Sequence, residues 1–321
     1  MAKLQSTEIV GVANRPATIC SNSVCLWFDT TNFKPMASYC GYSGAGSWSA
    51  GGALATARYG LAGAGTQNVG LVAGGGGSNL TCTEEYNGTS WSTGGALIIG
   101  RRLLAGAGTQ NSGLVMGGFS GVDVSCTEQY NGTSWSAGGA MITTRRQLAG
   151  LGTQNAGLAA GSYPLTNGSC TEEYNGISWS SGGAFITARA DFAGAGTQNE
   201  GLAAGGRNAS INLLCTEEYN GTSWSAGGAL ITARYGLAGA GTQNEGLAAG
   251  GTTSFGVNVL SCTEEYNGTS WSSGGALIIA RSFPASGGAQ SSGLLMGGRS
   301  TADVSCTEEY TKPLAIIDCV L

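Results

Sequence analysis

Histidine is absent from these 321 residues, and lysine occurs only at Lys3, Lys34 and Lys312. Without imidazole there is no histidine-based metal site, catalytic triad or acid–base device. Charged side chains make up 10% of the chain, with a formal net charge of −5. So little basic charge argues against a surface that gathers nucleic-acid phosphates. Proline numbers five, and the 58 glycines do not fall at every third position, which excludes a collagen helix. No apolar run approaches the roughly 18 residues of a membrane-spanning helix, so no membrane insertion is expected. Met1–Asn14 has no apolar core of the kind a secretory signal carries, so none is expected. What is present is a 41% hydrophobic content with seven Trp and eleven Tyr, too apolar for a disordered linker.

Repetition dominates the chain. The string C-T-E-E-Y-N-G-T-S-W-S-x-G-G-A recurs, with Trp at 48, 91, 135, 179, 224 and 271. Cys82, Cys126, Cys170, Cys215, Cys262 and Cys306 keep nearly the same step, and a block L-A-G-A-G-T-Q-N-x-G-L-x-x-G-G follows each Trp after an arginine. A period in the mid-forties fits helix pairs or four-stranded propeller blades. Glycine decides between them, because each interior glycine costs a helix about 1 kcal/mol. Asn87-Gly88 between Tyr86 and Trp91 is a hairpin signal, and Thr66-Gln67-Asn68 reads as a second tight turn. The first full unit therefore parses into strands near Leu61–Gly65, Gly70–Gly74, Thr81–Tyr86 and Ser90–Ser92, which predicts an all-β propeller of four-stranded blades.

Arginine, a Gly-Gly pair, Tyr and then Trp recur in that order as Arg58, Gly74-Gly75, Tyr86 and Trp91, then Arg102, Gly117-Gly118, Tyr130 and Trp135. This order resembles the Kelch repeat. The wording T-E-E-Y-N-G-T-S-W with L-A-G-A-G-T-Q-N also resembles Kelch-like repeat proteins of marine and cyanobacterial tailed phages. The third copy departs at Gly161-Ser162, and the sixth has Tyr310 without a following Trp. The resemblance implies a Kelch-like β-propeller over 1–321, with a virion location and other virion proteins as partners.

Blade number is read from the ends. Residues 53–321 hold six repeats. Aligning Tyr310 with Tyr266 puts Leu314–Val320 where the outer strand of the last unit belongs. Cys25–Asp29, Lys34–Tyr39 and Ser47–Ser49 read as further strands, with Thr7–Val12 a candidate fourth. A degenerate N-terminal blade over 1–52 follows, and seven blades are favoured. The alternative is six blades closed by the Trp48 strand, with an N-terminal docking appendage.

Arg58, Arg102, Arg146, Arg189, Arg234 and Arg281 form one once-per-blade set, and Glu84, Glu128, Glu172, Glu217, Glu264 and Glu308 another. A carboxylate between packed blades needs a partner, so both sets are read as structural. Glu84 and Glu85 point to opposite strand faces and cannot form the facing carboxyl pair of a glycosidase. The six periodic cysteines are read as free, small core hydrophobes, since equivalent points on neighbouring blades exceed disulfide reach. Cys20, Cys25, Cys40 and Cys319 lie near the termini, where a bridge from Cys319 to Cys20 or Cys25 would lock the ring. No cofactor or metal is expected.

The loop after Gly-Gly varies in length and chemistry while the scaffold holds, which is how repeat scaffolds present binding surfaces. Its candidate binding residues are Asn79, Phe119, Asp123, Tyr163, Asn167, Arg207, Asn208, Phe255, Asn258, Arg299 and Asp303. Amides, hydroxyls and aromatics there suit a host-surface glycan or protein. The reading is a non-enzymatic virion protein, tail- or capsid-associated, with a purely structural virion module and, remotely, a carbohydrate-active enzyme as alternatives.

Overall fold

The structure, a computed structural model, describes residues 25–29, 34–42, 44–254 and 257–320. The chain divides into two compact units, where the repeats led to one domain over 1–321. One is Gly46–Thr311; the other is Met1–Ala45 with Lys312–Leu321.

In the larger unit every repeat folds as a four-stranded antiparallel blade. The first runs Ala62–Thr66, Val69–Ala73, Thr83–Tyr86 and Trp91–Thr93 from inside to outside. The innermost strands of successive blades begin at Ala62, Ala105, Ala149, Ala193, Ala238 and Ala285. They neighbour one another in cyclic order, with the sixth against the first. The propeller thus has six blades, and the favoured seven is corrected. The sixth blade, Ala285–Ala289, Ser292–Met296 and Thr307–Thr311, takes its outer strand from Ser47–Ala50, with Tyr310 opposite Trp48.

Leu314–Val320 does not complete that blade. It pairs with Lys34–Tyr42, which also pairs with Cys25–Asp29, giving a separate three-stranded sheet in the smaller unit. Residues 7–12, expected as a strand, lie outside the described residues. So does Cys20. Cys25 opposes Ser38, and Ser38 opposes Asp318, so Cys25 and Cys319 lie on strands with a third between them. Two strand spacings of about 4.8 Å exceed the Cα separation a disulfide spans, which corrects the Cys25–Cys319 bridge. Cys40 opposes Ile316.

The core lies between blades. One such cluster joins Leu71 and Ala73 of the first blade to Val115, Tyr130 and Trp135 of the second. Small residues on the inner strands let the backbones crowd the axis: a Cβ added at Gly106 would lie 2.5 Å from the Gly63 carbonyl oxygen. Hydrogen bonds repeat the same inter-blade step. Trp135 Nε1 donates to Thr83 Oγ1 at 2.9 Å, and the Tyr130 hydroxyl donates to Glu85 at 2.6 Å. Gln110 Nε2, in the first hairpin turn, donates to the Tyr86 carbonyl at 2.8 Å. That clamp explains why the Thr-Gln-Asn turn barely varies among copies.

The antiparallel meander places the Thr-Gln-Asn and Asn-Gly turns on one face of this unit. The loops after Gly-Gly and the blade-to-blade links emerge on the other.

Candidate functional site

Each blade-to-blade link carries one fully buried arginine paired with the glutamate of the third strand: Arg58–Glu84 at 3.0 Å, Arg145–Glu172 at 2.8 Å, and Arg101–Glu128, Arg189–Glu217, Arg234–Glu264 and Arg281–Glu308. The same carboxylates accept backbone N–H groups of the link, as Glu128 does from Ile98 at 2.7 Å. Arg102 and Arg146 are therefore not members of the structural set. Their neighbours Arg101 and Arg145 are. The six periodic thiols are free but half-buried and lie beside these arginines, as Cys215 Sγ does 3.2 Å from Arg189 Nη2. This corrects their reading as core hydrophobes.

Two residues beyond each buried arginine, the link turns toward the axis. The residues there are Gly60, Leu103, Gln147, Asp191, Gly236 and Phe283, all left-handed with φ between 54° and 65°. Each N–H donates to the carbonyl of the equivalent residue in the preceding blade: Leu103 to Gly60, Gln147 to Leu103, Asp191 to Gln147, Gly236 to Asp191, Phe283 to Gly236, and Gly60 to Phe283, at 2.6–3.0 Å. Six backbone hydrogen bonds thus close a cycle around the axis. Leu103, Gln147, Asp191 and Phe283 hold a conformation that costs an L-residue about 1–2 kcal/mol. The backbone repeats sixfold while the side chains on it do not.

Outside this cycle lies a cavity of about 320 Å³ lined by Tyr59, Arg102, Leu103, Phe119, Arg146, Gln147, Tyr163, Arg207 and Phe283. Inside it, a smaller space is walled by the inner strands. The outer mouth alternates guanidinium and ring. Arg102 lies 5.3 Å and Arg146 5.0 Å from the Phe119 centroid. Arg146 and Arg207 stand 4.7 and 5.6 Å from Tyr163, and Arg207 stands 5.0 Å from Tyr235. Tyr235 and Tyr59 both meet Phe283 edge-on, and Arg299 lies over Tyr59 at 5.2 Å. Such contacts contribute about 0.5–1 kcal/mol each and hold the guanidinium planes in place.

Carboxylates tune this ring. Arg146 pairs with Asp123, Arg299 with Asp303 at 3.5 Å, and Arg207 Nε with Asp191 Oδ2 at 2.7 Å. Asp191 also accepts from Gln147 Nε2 at 3.0 Å. Burial pushes the Asp191 carboxyl up to about 6, against the opposing pull of Arg207, Gln147 and Arg146. Among the described residues Arg102 has no carboxylate partner. Its Nη1 donates to the Gly77 carbonyl at 2.6 Å, and its buried Nε has no hydrogen-bond partner.

Of the residues expected from sequence, Phe119, Tyr163 and Arg207 line the mouth, Asp123 reaches it through Arg146, and Arg299 with Asp303 reaches it through Tyr59. Asn79, Asn167, Asn208 and Asn258 do not converge with them. Asn208 Oδ1 holds its own turn through the Ser210 and Ile211 amides, Asn167 ends a 3-10 turn, Asn258 is exposed, and Asn79 takes a left-handed φ of 56°. Phe255 lies outside the described residues. Sequence reasoning missed Tyr59, Leu103, Gln147, Asp191, Tyr235 and Phe283 and took Arg102 and Arg146 as structural; all sit on the links rather than in the variable loops. The signal was present: one repeat position reads Gly, Leu, Gln, Asp, Gly, Phe, and glycine recurring among unlike residues marks a shared left-handed backbone. Among the described residues, no three His, Cys, Asp or Glu side chains gather as metal ligands.

No described sequence family and no curated protein matches the chain. Among solved structures, that of YjhT superposes with a TM-score of 0.67 at 13% identity, over 83% of this chain and 99% of that one. The likeness is one of fold. The chain contains a six-bladed β-propeller of four-stranded blades.

Proposed function

We propose that this propeller is a non-enzymatic binding protein of a phage virion, tail- or capsid-associated, whose arginine–aromatic mouth holds a glycan of the host surface. The observation that carries the reading is the contrast between the two faces. One keeps the same turns blade after blade, while the other ends in a cavity whose side chains break the repeat around the axis. A cavity of about 320 Å³ is of ligand-site size. Fixed rings offer flat apolar faces to a sugar, and guanidinium and amide donors offer hydrogen bonds to its oxygens. Asp123 and Asp191 each accept a guanidinium, which favours binding over acid–base work. The wording of the repeats, similar to that of Kelch-like phage proteins, supports the virion assignment and, with it, other virion proteins as partners.

Fluorescently labelled protein incubated with cyanobacterial host cells tests this. Binding is expected, with competition by extracted surface polysaccharide. Tyr163→Ala and Phe119→Ala should each weaken it by about tenfold or more. Absence of binding by the intact protein, or full binding by both folded variants, would overturn the reading. Release of reducing sugar from that polysaccharide would favour an enzyme instead.

A further inference from the structure

We infer that the mouth selects an acidic sugar bearing a single carboxylate, seated on Arg102. This rests on the glycan-binding reading and adds the chemical class of the sugar. Three guanidinium groups line the cavity, and two have carboxylates of the chain itself, Arg146 with Asp123 and Arg207 with Asp191. Arg102 is the third. It is half-buried against Phe119, one N–H is committed to the Gly77 carbonyl, and its Nε is buried without a partner.

A guanidinium drawn partly out of water without a counter-charge is costly. A planar carboxylate matches its fork of donors. The mouth thus carries one uncompensated positive charge, which a monoanion neutralises. A sulfate or phosphate dianion would overshoot it, and a neutral sugar would leave it unmatched. Phe119 braces Arg102 from one side, so the fork is oriented before the ligand arrives and less freedom is lost on binding.

Calorimetric titration of the full chain with glucuronic acid, its methyl ester, glucose and inorganic sulfate tests the inference. Glucuronate should bind, with the ester and glucose about tenfold weaker or worse. Sulfate should bind no better than the ester, and glucuronate affinity should fall with added salt. Arg102→Ala should lose about tenfold or more in glucuronate affinity while melting within a few degrees of the parent. Arg102→Lys, which keeps the charge but not the fork, should fall between the two.

Equal binding of acid and ester, tighter binding of sulfate, or undiminished binding by folded Arg102→Ala would each overturn the inference. If no probe binds while labelled protein still coats host cells, the carboxylate inference falls and the glycan reading stands. If the cells too are left bare, both fall.

Discussion

Asp191 concentrates three constraints in one residue: a left-handed backbone, a place in the axial cycle and a buried carboxylate facing Arg207, Gln147 and Arg146. Its folded-state value, near 6, lies above the ordinary 3.8. Its share of stability is therefore fully present below about pH 4 and is lost as pH rises through 6, a swing of about 3 kcal/mol. Asp191→Asn suits the same backbone conformation. Denaturant titrations should show the wild-type-minus-variant difference growing by that amount as pH falls from 7 to 4; a flat difference would refute it. Arg101 and Arg102 make a second contrast at this scale. Removing Arg101 strands Glu128 in the core and should cost about 3–5 kcal/mol. Arg102→Met should leave the melting temperature within a few degrees. Sequence showed one arginine per blade and misplaced two of them by a residue, because Arg101-Arg102 and Arg145-Arg146 are doublets. The offset that resolves them is three residues back from Leu61, Leu104, Leu148, Phe192, Leu237 and Pro284.

The strands of the first blade were legible to within a residue or two, since Asn-Gly hairpins and runs of β-forming residues are local signals. What joins one blade to the next was not, because the partners stand some 45 residues apart and only packing brings them together. Gly106→Ala drives a Cβ against the Gly63 backbone, whereas Gly77 has nothing within 4 Å of such an atom. Chemical denaturation should show a loss of about 1–3 kcal/mol for the first and no loss for Gly77→Ala. The tyrosine–glutamate bonds set an alkaline limit. Burial, then the hydrogen bonds to Glu173 and Glu218, pushes the Tyr219 and Tyr266 hydroxyls up to about 12; burial, then the hydrogen bonds to Glu309, Glu85 and Glu265, raises Tyr86, Tyr130 and Tyr310. A raised folded-state value gives stability that is present below pH 10 and lost as pH climbs through 12. Unfolding free energy should drop across that window, and less so in Tyr266→Phe.

Closure of the ring was the least legible property of the whole. Cys25–Asp29 and Lys34–Tyr42 have strand character of their own, and local pattern assigns them to a blade. Lys34–Tyr42 instead pairs with Cys25–Asp29 on one side and with Leu314–Val320, about 280 residues away, on the other, while Ser47–Ala50 finishes blade six. Because Thr311 sits opposite Ser47, as Asn87 and Ser90 flank the hairpin of the first blade, a rearranged chain is expected to fold. Residues 51–310 followed by Asn-Gly-Thr and residues 47–50 should give a monomer with parent-like circular dichroism and cooperative melting; an aggregate or a noncooperative transition would count against an independent six-blade unit. The axial cycle of backbone bonds has one more consequence. A strand pair or a helix has ends, and thermal opening starts there, but a closed loop of six amides has no end from which to fray. Deuterium should enter Gly60, Leu103, Gln147, Asp191, Gly236 and Phe283 together and late, at the rate of global unfolding, although they lie where surface loops begin.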